Sequence, residues 1–342
     1  TLSNLIIQNN TARNFGAGIG LVDSYSTLEN IIIENNDIPD TDALGGGGIA
    51  INGGVTSINN CIIRDNFVGL NLYQLNGGAG ILCGFNFSDT PLELTLSNSE
   101  IYNNSANIGA AIGALSGNIL IDHVLIYDNT GEYGSAISLG EPLGLVIDNI
   151  SMSITQSTIV ENQGAFSFGL IDNSNVVIAN SILWNEQSEY EFAPLPNNSL
   201  VNVDSYYSDI RLLDGLETTA SISLDPLFVD INNYNFTLTE GSPCIDSGTN
   251  SLTIGNDTLI DMDLSEYSGI MPDMGYFEYY EVLYGDVNQN LIIDIVDLIL
   301  MINIILGQNT SDIYSFEAAD VNQDGVIDII DVISVVNMIL DN

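Results

Sequence analysis

Seven nine-residue segments of this chain repeat one pattern, and the repeat restricts the fold more than any other feature. The copies are LSNLIIQNN (2–10), LENIIIENN (28–36), INNCIIRDN (58–66), LSNSEIYNN (96–104), IDHVLIYDN (121–129), ITQSTIVEN (154–162) and IANSILWNE (178–186). The first column reads Leu2, Leu28, Ile58, Leu96, Ile121, Ile154, Ile178. The sixth reads Ile7, Ile33, Ile63, Ile101, Ile126, Ile159, Leu183. Both are apolar in every copy. The third column is Asn4, Asn30, Asn60, Asn98, His123, Gln156, Asn180, and the ninth is Asn in six of seven copies. Successive copies start 26, 30, 38, 25, 33 and 24 residues apart. A segment this short buries no face alone, whereas stacked copies share one continuous core. Period-two alternation inside each copy indicates strands. Unequal spacing then puts the extra residues into loops on one side of a stack.

A second strand follows most corners: GAGIGL (16–21), GGGIAI (46–51), GAGILC (78–83), GAAIGA (109–114) and GSAISL (134–139). Glycine there allows sharp turns and close backbone approach. Stacked corner asparagines bond the backbone and one another, as side-chain amides do in ladders. These features resemble the right-handed parallel β-helix, the pectin-lyase-like solenoid, over about residues 1–280. The resemblance implies a mainly β chain with coils over 1–186 and final coils with a C-terminal cap over 187–280. Three motifs in that tail, DPLFVD (225–230), GSPCIDSG (241–248) and PDMGYFEY (272–279), resemble the closing segment of secreted bacterial β-helix proteins. They are expected to finish and cap the last coils.

Charge narrows the range of partners. There are 45 acidic residues against three arginines, Arg13, Arg64 and Arg211, and no lysine, for a formal net charge of -42. Yet 45% of residues are apolar and mean hydropathy is +0.24, unlike a disordered acidic chain. Nucleic acid is excluded as a partner, since its binding rests on neutralising phosphates. Anionic membranes are disfavoured for the same reason, and no run reaches the ~18 apolar residues of a membrane span. Three cysteines make no disulfide framework, and Cys61 and Cys83 fall at apolar or small repeat positions, as buried thiols would. The first residues begin inside a repeat and resemble no signal peptide, so the chain reads as a fragment or a processed form.

The carboxylates have a pattern near the end of the chain, over 281–342. GDVNQNLIIDIVD (285–297) and ADVNQDGVIDIID (319–331) place Asp286, Asn288, Asn290, Asp294, Asp297 and Asp320, Asn322, Asp324, Asp328, Asp331 at positions 1, 3, 5, 9 and 12, offset by 34. Oxygen ligands at this spacing wrap a hard cation such as Ca²⁺, with the backbone carbonyl of position 7, Ile292 or Val326, completing the shell. Two calcium ions are therefore expected. Each loop runs straight into an apolar helix. The pair resembles a type I-like dockerin, a small α-helical module that attaches secreted proteins to cohesin domains, and Asp at position 12 fits dockerins better than ordinary EF-hands. The resemblance implies an extracellular or cell-surface location and a cohesin-like partner. Leu291 replaces the position-6 glycine of the first loop, at a cost of about 1 kcal/mol. That loop also has one carboxylate fewer, so it is expected to be the weaker site. Positions 10 and 11 are Ile295/Val296 and Ile329/Ile330 where cellulosomal modules carry Ser/Thr, so their partner specificity does not transfer. The helices are apolar almost all round, which implies burial on both sides. Ile295, Val296, Ile299, Ile302, Ile329, Ile330, Ile333 and Val336 form a docking face on one reading, and pack on each other and the solenoid end on another.

No catalytic residue is assignable from sequence. Lyases of the resembled family abstract a proton with Lys or Arg; this chain has no lysine, and Arg64 faces Asp65 and Glu34, as an ion pair would. The carboxylate, Gly-His-Gly and Arg-Ile-Lys clusters of the hydrolases are absent. His123, the sole histidine, sits in the third column, read as the asparagine ladder. The outward seventh column, Gln8, Glu34, Arg64, Tyr102, Tyr127, Val160, Trp184, carries three aromatics. Tyr102, Tyr127 and Trp184 suit stacking on sugar rings or on one another. The sequence thus reads as a secreted β-helix, polysaccharide- or surface-associated, anchored through a dockerin-like module. Two alternatives stay open: a lyase or glycoside hydrolase with its catalytic coils unrecognised or upstream, and a structural adhesin or spacer.

Overall fold

A computed structural model describes all residues except 41–42, 70–76, 86–89, 141–148, 171–173, 194–200, 213–215, 289, 291, 309–312 and 342. The chain forms two compact units, Thr1–Glu278 and Tyr279–Asn342.

The first unit is a parallel β-helix. Every first-column residue lies in parallel register on the next copy, from Leu2 on Leu28 through to Ile154 on Ile178. The sixth column does the same from Ile7 to Leu183. From the second copy onward both columns are fully buried in one core that runs along the stack. The glycine-led strands stack as well: Leu21, Ile51, Cys83, Ala114, Leu139 and Leu170 follow one another in register. Their leading glycines Gly16, Gly46, Gly78, Gly109 and Gly134 all have φ between 55° and 74°. A Cβ on Gly78 would lie 2.2 Å from the Ile81 carbonyl oxygen. Cys61 and Cys83 are free and buried, as is Cys244.

The buried ladder is in the ninth column, not the third. Asn10, Asn36, Asn66, Asn104, Asn129 and Asn162 each donate Nδ2 to the Oδ1 of the next asparagine at 2.8–3.0 Å, the last acceptor being Asn185. The same Oδ1 atoms also accept the preceding coil's backbone N–H, so every rung is held twice. Third-column residues, His123 included, instead take the left-handed conformation, φ 46–56°, at a corner. Asparagine suits both columns for different reasons: its amide bonds in two directions in the ladder, and it tolerates positive φ at the corner. The last copy enters the ladder one residue early, through Asn185 rather than Glu186. The eighth position is left-handed from Asn9 to Glu161, whereas Asn185 is not. The ladder then ends on a charge. Asn185 gives its N–H and Nδ2 to the two oxygens of buried Glu191, and Arg211 pairs with Glu191 at 3.2 Å.

The stack continues past the seven copies. Residues 202–210 form a further coil, with Ser205 on Ile178 and Ile210 on Leu183, and 217–219 pair with it. The three tail motifs add no further rung to the stack. They bind one another through Ser242 Oγ to Pro226 O, Asp246 N–H to Asp273 Oδ1, and Met274 N–H to Cys244 O. The segment they build runs back along the outer flank. Buried Phe236 covers Leu125 and Val160, Asn180 bonds Thr249 in both directions, and the Tyr276 N–H reaches Thr158.

This fastening has a pH signature. Fully buried Asp209 accepts the Leu224 N–H at 3.1 Å and the Cys244 thiol at 3.3 Å, and burial raises its pKa from 3.8 to about 6. Glu278 rises from 4.5 to about 7 through burial and the nearby Asp273. Acids with raised folded pKa values bind more protons folded than unfolded, so their contribution to stability is lost as pH climbs through these windows. Thermal unfolding of Asp209→Asn is expected to occur at higher temperature than the parent at neutral pH. The two should converge near pH 4, whereas a constant offset across the range would contradict the assignment.

In the second unit, α1 (Ile295–Ile305), α2 (Ile313–Ala319) and α3 (Ile329–Asp341) enclose a small core of Val287, Met301, Ala319, Val332 and Val335. Leu298, Ile304 and Ile339 pack against it. Within this unit only one side of α1 and α3 meets the core, so the unit's own packing does not supply the burial on both sides that was expected.

Candidate metal loops and docking face

Each helix that follows a loop starts on the loop's own carboxylates. Asp294 caps α1 by accepting the Val296 N–H, and Asp297 reaches back to the Asp294 N–H, a reciprocal capping box. The second Asp297 oxygen accepts the Asn288 N–H at 3.1 Å, so one carboxylate clasps both ends of the loop. Asp331 repeats the arrangement with Asp328 at 2.9 Å and Asn322 at 3.1 Å. Within the loops, Asp286 and Asn288 both accept the Asn290 N–H, as Asp320 and Asn322 both accept that of Asp324. Asn290 and Asp324 accept from Ile292 and Val326. The hydrogen-bond pattern therefore recurs at the offset of 34 read from sequence. Gly325, at φ 83°, adds an N–H to Asp320. Its counterpart Leu291 lies outside the described residues.

Asp286, Asp297 and Asp331 are fully buried and Asp320 nearly so. No basic residue lies within 279–342, and all three arginines are ion-paired in the solenoid: Arg13 to Asp40, Arg64 to Glu34 and Asp65, Arg211 to Glu191. Buried carboxylates without counter-charge are costly. A carboxylate oxygen can accept from two directions, and the donor set is all oxygen, as a hard cation requires. The residues present thus fit calcium. Among the described residues, no three acidic, His or Cys side chains already converge on one point as metal ligands. The carboxylates turn to loop N–H groups instead.

Seven of the eight apolar docking-face residues are exposed: Ile295, Val296, Ile299, Ile302, Ile329, Ile330 and Ile333; Val336 is half-buried. None belongs to the unit's core, so packing on each other does not account for them.

On the solenoid, the seventh column stacks as read. Tyr102 and Tyr127 are parallel, 4.6 Å between ring centres, and the Arg64 guanidinium lies 5.8 Å above Tyr102. The returning segment also covers this row. Phe236 and Tyr234 sit 5.4 and 5.2 Å from Tyr127, and Val160 is fully buried. Trp184 is half-buried and donates its indole N–H to Glu186 at 3.2 Å. His123 packs on Tyr276, 4.5 Å between rings, a contact that no local sequence signal indicates.

Residues 284–340 match the family model of the dockerin type I domain. The second unit is a dockerin type I-like module. Dockerin type I domains bind calcium and cohesin domains, and proteins that carry them are typically extracellular components of cellulosomes. No curated protein matches the chain. The crystal structure of pectate lyase Pel9A is similar at 15% identity and a TM-score of 0.40, over 81% of this chain and 73% of that one. What makes the first unit a parallel β-helix is the register of its own strands. Among the described residues no helix is long and apolar enough to cross a membrane.

Proposed function

We propose that this chain is a secreted modular protein whose β-helix is fastened to a cohesin-like partner by its calcium-loaded dockerin-like module. Two ions are held, one by Asp286, Asn288, Asn290, Ile292 O, Asp294 and Asp297, the other by Asp320, Asn322, Asp324, Val326 O, Asp328 and Asp331. The observation that carries this reading is the duplicated network of backbone N–H groups around buried, uncompensated carboxylates. Calcium supplies the missing charge and fixes the loops, and the loops set the first turns of α1 and α3. The exposed isoleucines and valines beside those turns form the docking face. An apolar face in place of Ser/Thr selects a partner with a complementary apolar patch. The solenoid's role is to present a surface to a glycan or another extracellular ligand, with Trp184 outside the cluster that buries the Tyr127 side of the aromatic row.

Capture of the full chain on immobilised cohesin-like domains tests the reading. Retention is expected in calcium and is lost with chelator, and Ile295→Asp combined with Ile329→Asp removes it without unfolding the module. Retention that ignores chelator contradicts the reading. The first loop has three carboxylates against four in the second. Stepwise chelation is therefore expected to empty the first loop before the second, read by loss of the Asn288 and Asn322 amide signals in turn. The reverse order would contradict it.

A further inference from the structure

A cleft of about 530 Å³ lies between the third-column corners and the returning segment. We infer that it is a binding site for a short, uncharged saccharide, held by His123, Gln156, Asp261 and Tyr276. The inference rests on the glycan-facing reading of the solenoid and is independent of docking.

The cleft has a size ordinary for small-ligand sites, and it joins two layers that the chain brings together late. His123 and Gln156 come from successive coils, and Asp261, Tyr276 and Glu278 from the returning segment. The polar groups divide into two sets. Glu278 accepts the Ser268 and Asp273 N–H groups with its two oxygens, Glu266 accepts from Asp263, and Asp122 accepts from Thr155. These build the walls. By contrast the His123 imidazole, the Gln156 amide, the Asp261 carboxylate and the Tyr276 hydroxyl make no hydrogen bond among the described residues. His123 and Tyr276 engage each other only through their ring faces.

The lining chemistry selects the ligand class. Among the described residues three carboxylates, Asp122, Asp261 and Glu266, and no cation line the cleft, which repels uronates and other anions. No three acidic, His or Cys groups converge as metal ligands among the described residues, which disfavours a chelated cation. Burial lowers the His123 pKa, so the ring is neutral, with one nitrogen donating and the other accepting. A sugar hydroxyl also donates and accepts, and an amide, a carboxylate, a phenol and an imidazole together match several hydroxyls. The adjoining His123 and Tyr276 rings offer an apolar edge for the C–H face of a pyranose.

The test uses the full chain in calcium with three probe sets: neutral oligosaccharides of mixed linkage, oligogalacturonates, and spermine. Because His123 is the only histidine, its ring gives a single set of NMR signals. A neutral oligosaccharide is expected to shift them saturably. His123→Asn restores the residue found at this corner in most coils, and Tyr276→Phe removes only the hydroxyl; each is expected to weaken binding at least about tenfold, close to 1.4 kcal/mol. Saccharide binding that leaves the histidine signals unmoved and both variants unimpaired would overturn this site while leaving a glycan-facing solenoid intact. Failure of every saccharide to bind would overturn both. Tighter binding of oligogalacturonate, or displacement of the sugar by equimolar spermine, would overturn the ligand class.

Discussion

Replacing Asp331 by alanine is expected to abolish calcium uptake by the second loop and to unravel the start of α3. The carboxylate is fully buried and holds the Asn322 N–H at 3.1 Å and the Asp328 N–H at 2.9 Å, tying the loop's beginning to its end. Its loss leaves two donors without partners, at about 1–3 kcal/mol each, and removes the position-12 ligand. A total of roughly 3–5 kcal/mol in the calcium-loaded module follows, a large share of what a unit this small can hold. Asp297→Ala is expected to do the same to the first loop. Asp324→Ala is the contrasting case: the residue is exposed, so a ligand is lost with far less folding energy. Calorimetric calcium titration paired with thermal unfolding reads both quantities. Full calcium stoichiometry in Asp331→Ala would contradict the assignment.

The second large effect lies in the solenoid. Asn129 is fully buried and makes five hydrogen bonds through its side chain. Nδ2 donates to Ile101 O, Tyr127 O and Asn162 Oδ1, and Oδ1 accepts from the N–H and Nδ2 of Asn104. Asn129→Ala is expected to cost roughly 3–5 kcal/mol, because it strands polar groups on three coils at once. Each coil touches only its neighbours, so the damage should appear as early fraying at that level rather than as a uniform loss. Amide hydrogen exchange along the stack would show where it opens. Asn98→Ala, at an exposed third-column corner, loses only the link to Asn59 and the tolerance of positive φ, about 1 kcal/mol. Equal costs for the two variants would contradict the distinction between ladder and corner.

The repeat made most of the solenoid legible. First- and sixth-column residues pair across all seven copies because apolar side chains at fixed positions leave only one register that buries them all. His123's column was misread as ladder because asparagine occupies two columns for two reasons, and identity alone does not separate bidirectional bonding from tolerance of positive φ. The coil at 202–210 escaped the pattern because Ser205 replaces the apolar first-column residue and bonds the Ser221 hydroxyl instead. The Glu191–Arg211 terminus and the path of the returning segment were hidden for another reason: both join residues distant in sequence, and no periodicity marks such contacts. The repeat of the two acidic loops was legible, since spacing within one turn is local: their hydrogen-bond pattern recurs at the offset of 34 read from sequence. Burial of the two helices was not. Their all-round apolarity suggested enclosure, but the unit's own core takes only one face, and the other is where docking is proposed.

Calcium titration into the fully chelated full-length chain, followed by calorimetry and by the amide signals of both loops, tests the account most directly. Two equivalents are expected to bind, with Asn288 and Asn322 becoming protected from exchange as cohesin capture appears in step. A chain that takes up no calcium, or is captured equally well without it, would contradict it.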